Sequence, residues 1–200
     1  MPSVYLSPST QDFNQFIGGG NEEYYMNLIV DAMIPYLRAS GIEFARNNPG
    51  NSVPKIIERS NEHHYDLHLS LHARGTPDGN DAPLRGIDVY HYAIDPVGGE
   101  KAAYIIYQNL KDIYPVPELV HFVPNFEMLE LSLTNAPAVL LEIGYYDNPA
   151  DANWIRINIA EIGRNLALSV AQFLKVPFQE PQMQMNVPNS PASQSLHTIL

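Results

Sequence analysis

The stretch 67–72, which reads LHLSLH, alternates leucine with polar residues. Alternation with a period of two is typical of a β-strand, so it predicts a strand with leucines on one face and His68, Ser70 and His72 on the other. A loop rich in glycine and proline follows shortly after His72. Because ligands collect at the carboxyl ends of strands in open α/β sheets, His72 is a candidate metal ligand or acid/base group.

The remaining pattern predicts strands that alternate with helices. The apolar run 138–141 is typical of a strand buried in a parallel sheet, whereas apolar residues spaced at threes and fours predict helices. This order favours an α/β fold with a mixed, mostly parallel twisted sheet flanked by helices on both faces. Predicted strands cover 3–6, 42–45, 67–72, 86–92 and 138–141, predicted helices cover 22–40, 55–63, 100–110 and 155–174, and the segment around Pro115, Pro117 and Pro124 is predicted to be irregular.

The first predicted helix has clear signals at both ends. Asn21 is a suitable capping residue, and Gly41 is typical of a helix end. Glu22 and Glu23 fall in the first turn, where the helix dipole favours carboxylates. This structural role accounts for both glutamates without any function.

Composition narrows the possible functions. With 22 acidic and 11 basic residues the net charge is -11, which disfavours binding to nucleic acid or to an anionic membrane. The chain has no cysteine, so any transition metal must be held by nitrogen and oxygen donors. No apolar stretch approaches the roughly 20 residues of a membrane span. We predict one catalytic domain over residues 1–176 and a flexible tail rich in proline, glutamine and serine over 177–200.

Glu142 ends the apolar strand, just before Gly144. A carboxylate at the tip of a buried strand is costly to desolvate and tends to have a raised pKa. Such groups serve as general acids or bases near neutral pH. Glu142 is therefore a candidate catalytic residue.

Three blocks of the chain, in this order, resemble the zinc-dependent N-acetylmuramoyl-L-alanine amidases of the amidase-3 type. This family includes sporulation and autolysin amidases and phage endolysins. Residues 66–73 are similar to the family's strand with its second zinc histidine, and 86–90 to the strand that follows. Residues 137–151 resemble the segment around the catalytic glutamate. The resemblance covers roughly residues 4–174.

The resemblance implies a single zinc ion and hydrolysis of the amide between N-acetylmuramic acid and L-alanine in peptidoglycan. It implies that His72 and a glutamate at the start of the first helix hold the zinc, and that Glu142 activates the metal-bound water. We favour Glu22 as the ligand, with Glu23 as the alternative.

The chain departs from the family where the first zinc histidine is expected, because Thr10 stands in that position. A threonine hydroxyl is a poor zinc ligand. The third ligand is left open between the Gln11 amide oxygen, a water held by Thr10 or Asn14, and a histidine from elsewhere such as His64. The alternative function is an amidase fold that has lost catalysis and binds the cell wall or a protein.

The sequence also sets expectations about location and partners. The first residues show neither the basic region nor the apolar run of a signal peptide. We expect synthesis in the cytoplasm and action at the cell wall after lysis, holin-type release or delivery in a particle. Since the acidic chain has no obvious attraction to an anionic wall, we expect a targeting domain or protein partner.

Overall fold

Strands and helices alternate along the chain, as the hydrophobic pattern predicts. The computed structural model describes residues 1–78, 82–94 and 97–182. In chain order, the elements of these residues are β1 (Ser3–Pro8), α1 (Glu22–Ala39), β2 (Glu43–Arg46), α2 (Val53–Asn61), β3 (Leu67–Arg74), β4 (Ile87–Tyr92), α3 (Gly99–Ile113), a 3₁₀ turn (Pro117–Leu119), β5 (Val120–Asn125), α4 (Leu129–Ser132), β6 (Ala138–Tyr145), α5 (Pro149–Ile157) and α6 (Ile159–Leu174).

The strands form one sheet in the order β2-β1-β3-β6-β4-β5. Only the β4–β6 pair among them is antiparallel, whereas the pairs β1–β2, β1–β3, β3–β6 and β4–β5 are parallel. The predicted fold class is therefore confirmed. The strands β1, β3 and β6 run in the same direction, so their carboxyl ends lie side by side at one end of the strands. Side chains near these carboxyl ends therefore lie close together.

One face of the sheet is apolar and thickly covered. Leu67, Leu69 and Leu71 of β3 are fully buried in a core that includes Met26 of α1 and Leu166 of α6. Burying one leucine side chain contributes roughly 1.5–3 kcal/mol, so this face provides the main stabilisation of the fold.

The other face of β3 is polar, although it is also buried. His68 and Ser70 have no solvent exposure. The ring of His68 is hydrogen-bonded to Ser60 of α2 and to Glu130 of α4, the two short helices that cover this side. The alternation in the sequence therefore separates a hydrophobic core from a buried polar network.

Helix α1 begins and ends where its sequence signals predict. The Asn21 side chain accepts a hydrogen bond of 2.8 Å from the backbone N–H of Tyr24. Gly41 has a φ of 69°, and its N–H donates to the carbonyl of Arg38 at 3.1 Å. A residue other than glycine is strained at this φ, which explains the helix end.

Two predictions about secondary structure were wrong. The segment predicted to be irregular contains β5, in which Pro124 is tolerated because β5 lies at an edge of the sheet. The predicted helix 155–174 is two helices, α5 and α6, which meet at Asn158. The backbone N–H of Asn158 donates to Trp154 and Ile155, so it ends α5.

The start of the predicted tail is packed on the domain. Phe178 stacks on Tyr36 of α1 with ring centroids 5.7 Å apart, and the N–H of Gln179 donates to Ser40 at 2.9 Å. Arg164 pairs with Glu180 at 2.5 Å. Residues 178–180 thus contact α1 and α6, and the predicted tail residues 183–200 lie outside the described residues.

In the described parts of the chain, the helices are all too short or too polar to cross a membrane.

Candidate active site

A cleft of about 390 Å³ lies at the carboxyl ends of the central strands β3 and β6. Its lining combines charged and polar residues with apolar ones. The charged and polar lining residues are Gln11, Asn14, His72, Arg74, Glu130 and Glu142, and the larger apolar ones are Val53, Met128, Leu129 and Leu140.

His72 and Glu22 meet at this end of the strands. His72 is near the end of β3, and Glu22 is the first residue of α1, whose amino terminus points to the same end. The Glu22 Oε1 lies 3.1 Å from the His72 Nδ1. Glu22 is fully buried, and its other oxygen accepts a bond of 2.6 Å from the Asn14 side-chain amide. The structure therefore brings Glu22 rather than Glu23 against His72.

The ring of His72 lies between two carboxylates. Its Nε2, on the side opposite Glu22, is 3.5 Å from the Glu130 Oε2. Burial alone would lower the pKa of His72, but hydrogen bonds to Glu130 and Glu22 outweigh it and raise the pKa to about 9. Both ring nitrogens of His72 therefore face a carboxylate, and these two contacts favour the protonated ring.

Glu142 faces His72 from the neighbouring strand. The two residues are partners in the parallel pairing of β3 and β6, so their side chains project from the same face. Burial raises the pKa of Glu142 above its ordinary value, and this effect outweighs the opposing charge of Arg74. The arrangement thus places a partly buried carboxylate with a raised pKa beside the His72–Glu22 pair.

Arg74 contacts Glu142 at the rim of the cleft. Its Nε lies 2.9 Å from the Glu142 Oε2, yet this oxygen has no aligned hydrogen bond. The guanidinium also bonds Asp88, donates to the Tyr90 hydroxyl at 3.1 Å and lies 4.9 Å from the centre of the Tyr145 ring. Arg74 is therefore held by several partners and lies against the Glu142 carboxylate.

Residues 9–172 match the family described as amidase-3, N-acetylmuramoyl-L-alanine amidase. The match covers most of the chain and includes every residue of the cleft. The chain belongs to the N-acetylmuramoyl-L-alanine amidase family. The resemblance seen in the sequence is thereby confirmed, and the activity expected of this family is the hydrolysis of a peptidoglycan amide.

Solved amidase structures share the fold. The N-acetylmuramoyl-L-alanine amidase AmiC2 of Nostoc punctiforme is 16% identical, with a TM-score of 0.74 over 87% of this chain and 97% of that chain. An N-acetylmuramoyl-L-alanine amidase from Clostridium difficile 630 is 17% identical, with a TM-score of 0.75 over 87% and 97%. The amidase Ami1 of Mycobacterium smegmatis is 20% identical, with a TM-score of 0.73 over 87% and 97%. A comparison with curated proteins found no significant match.

Amidases of this family are typically zinc-dependent, and the cleft fits a metal ion in part. Ligand atoms on a tetrahedral zinc ion lie roughly 3.3 Å from one another, close to the separation of the Glu22 and His72 atoms. In residues 1–78, 82–94 and 97–182, however, no three His, Cys, Asp or Glu side chains converge as a ligand group. The site thus contains two strong zinc ligands, Glu22 and His72, and any third ligand must be a weaker donor such as an amide or a water.

The candidates for the third ligand lie in very different places. The Gln11 amide nitrogen is 3.5 Å from the His72 Nδ1, and a flip of the amide brings its oxygen there instead. Thr10 is half-buried next to it in the loop before α1. His64 is exposed before the start of β3, in a groove at the opposite end of the strands. His64 is therefore too far away to bind the same ion as His72.

Two residues of the cleft, Arg74 and Glu130, were not predicted from the sequence. Arg74 continues the period-two series of polar residues in β3, so the alternation itself could have indicated it. Glu130 is on the four-residue helix α4, which is too short to show a helical period. An acidic residue between Leu129 and Leu131, just before a buried strand, is the signal that was available.

Proposed function

We propose that this chain is a metal-dependent amidase that hydrolyses the bond between N-acetylmuramic acid and L-alanine in peptidoglycan. The observation that carries the proposal is the pairing of His72 with Glu142 on adjacent strands, with Glu22 at 3.1 Å from His72. A partly buried acid thus lies beside a pair of metal-binding donors, and His72 and Glu142 both line the cleft. Membership of the family supplies the substrate class.

A divalent metal ion would be held by the Glu22 Oε1 and the His72 Nδ1, with the Gln11 amide oxygen or a water in the third position. Bound there, it would polarise the amide carbonyl and lower the pKa of a water molecule. Amide oxygens and waters are weaker zinc ligands than imidazole. We therefore expect weaker zinc binding than a site with three strong ligands provides.

Glu142 would act as general base and then as general acid. Its carboxylate takes a proton from the attacking water and returns it to the leaving amine of L-alanine, so no proton is lost overall. Burial raises its pKa, which favours holding the transferred proton, while the nearby charge of Arg74 opposes this shift. Arg74, beside one oxygen, orients the carboxylate.

The apolar residues of the cleft would contact the small apolar groups of the substrate. The larger ones are Val53, Met128, Leu129 and Leu140. We propose that the methyl groups of the lactyl and L-alanine units contact these residues, while the amide faces Glu142. Water displaced from the apolar residues would strengthen the electrostatic interactions at the reacting amide.

The test combines elemental analysis with dye release from labelled peptidoglycan. The zinc-loaded protein should release dye, and His72→Ala should lose both the metal and the activity. A matched control is His63→Ala, because His63 is exposed and lies at the other end of the sheet. Full zinc occupancy in His72→Ala would refute the ligand role of His72.

The second candidate is a binding module that has lost catalysis. It is favoured by the two-ligand site and by the charge of Arg74 next to Glu142. Such a module would sediment with purified peptidoglycan, or capture a protein, and would release no dye at any zinc concentration. Dye release that disappears in Glu142→Gln would exclude it.

A further inference from the structure

Glu130 is a buried carboxylate with an unusually complete set of contacts. It is only 4% exposed, and its Oε1 accepts hydrogen bonds from the Ser7 and Ser70 hydroxyls at 2.6 and 2.9 Å. The His68 Nε2 lies 3.1 Å from the same oxygen. These bonds connect α4 to β1 and β3, so the carboxylate is fixed in direction.

The second oxygen of Glu130 is left for His72. Its Oε2 lies 3.5 Å from the His72 Nε2, on the side of the ring away from Glu22. Because each ring nitrogen of His72 contacts a carboxylate, a flip of the ring would break both contacts. The fixed direction of Glu130 thus decides which nitrogen of His72 faces Glu22.

A histidine that binds a metal usually donates its other N–H to a carboxylate or a carbonyl, which sets the tautomer and the ring orientation. Glu130 occupies that second position. The serine hydroxyls and His68 hold its other oxygen, so the charge of the carboxylate is partly compensated before it meets His72. Its contact with His72 then explains why Glu130 is buried although α4 is so short.

We infer that Glu130 is a positioning residue that holds the His72 ring through Nε2, so that Nδ1 is presented to Glu22 and to the metal position. The effect of Glu130 on metal affinity rests on the proposed metal-dependent function. The structural part of the inference concerns the metal-free protein alone. The two parts can therefore be tested separately.

The decisive variant is Glu130→Gln, which keeps the volume and one acceptor oxygen for the serines. Glu127→Gln is the matched control, because Glu127 is exposed just before the same helix. Ser7→Ala removes the 2.6 Å bond to Glu130 and leaves the histidines intact. It provides a milder change if Glu130→Gln does not fold.

The first measurement is NMR of the ring nitrogens of His72 in the metal-free protein at fixed pH. Their shifts distinguish a nitrogen that donates a hydrogen bond from one that accepts. We expect a donating Nε2 in the native chain and in Glu127→Gln, and an altered signal in Glu130→Gln. Ser7→Ala should give a shift in the same direction but smaller. Unchanged His72 signals in both site variants would overturn the inference.

The second measurement is zinc affinity by competition with a chelating dye. Loss of such a supporting carboxylate typically weakens metal binding by about 10- to 100-fold, and we expect this for Glu130→Gln. Equal affinity in Glu130→Gln and the native chain would contradict the inference and leave the proposed function standing. If the native chain binds no zinc while the ring signals still change, the function fails and the positioning role stands. If Glu130→Gln abolishes binding and Glu22→Gln does not, Glu130 is a ligand and the inference is wrong.

Discussion

Two carboxylates near the carboxyl end of β6, Glu142 on the strand and Asp151 on α5, differ sharply in how they are bound. Asp151 is fully buried, and its Oδ2 accepts from the backbone N–H groups of Gly86 and Tyr145 at 2.9 and 3.1 Å. Its Oδ1 accepts from Arg85 at 3.0 Å and from the Tyr114 hydroxyl at 2.6 Å. Glu142, on the strand itself, has a buried oxygen without a hydrogen bond.

This difference indicates that Asp151 stabilises the fold, whereas Glu142 is suited to take part in a reaction. Every oxygen of Asp151 is occupied by donors of its own fold, so it ties the end of β6 to β4 and α3. Glu142 lines the cleft, and its Oε2 lies 2.9 Å from the Arg74 Nε without an aligned hydrogen bond. A buried acid with incomplete bonding costs stability, and such a cost is usual where a protein needs a reactive group.

The largest effect is expected from Glu142→Gln. General acid/base catalysis typically contributes roughly 10²- to 10⁴-fold, so kcat in dye release should fall by about that factor. Zinc content should stay unchanged, and the free energy of unfolding should not decrease, because the amide is cheaper to bury than the carboxylate. A parallel loss of metal would instead make Glu142 a ligand.

Asp151→Ala should instead lower the free energy of unfolding. Removing one partner of a buried charged group typically costs about 3–5 kcal/mol, here because Arg85 and two backbone N–H groups lose their acceptor. Urea unfolding should show this loss, with Asp112→Ala on the exposed face of α3 as the control. If Asp151→Ala were as stable as the control, Asp151 would not be structural.

The pH should affect the stability of the cleft region of the metal-free protein. The pKa of His72 is raised from 6.5 to about 9, so the folded state holds this proton more tightly than the unfolded state. The stabilisation is complete below pH 6.5 and is lost as the pH rises to about 9. A shift of this size corresponds to roughly 3 kcal/mol. Urea unfolding across this range, with chelator present, should show the decline in the native chain and not in His72→Gln.

The smallest effect is expected from Arg85→Met. This change removes one charged donor from Asp151 but leaves Tyr114 and the two backbone N–H groups in place. Hydrogen bonds to charged groups are worth about 1.5–3 kcal/mol, and we expect a loss in that range by urea unfolding. Peptidoglycan hydrolysis at a temperature where the variant is folded should be unchanged. A loss of activity without a loss of stability would place Arg85 in the site and weaken the comparison.

Much of the fold could be predicted from the sequence. The alternation around His72 indicated which face of β3 is polar, and the apolar run before Glu142 indicated a central strand. Asn21 and Gly41 marked the ends of α1. These signals are local, so they can be read from a short window of residues.

Other features had no local signal. Strand β5 contains Pro124, which argues against a strand until its place at the sheet edge is known. Helix α4 is too short for a period, so Glu130 was not recognised. Phe178 lies in a stretch typical of a linker, yet it stacks on Tyr36 of α1.

The sequence by itself determined the order of the elements, the polar face of β3 and the family to which the chain belongs. Only the tertiary structure decided which atoms meet in the cleft. Glu22 and His72 are 50 positions apart in the chain, and their contact depends on how α1 docks on the sheet. Such contacts follow from sheet register and helix packing, which no short stretch of residues specifies.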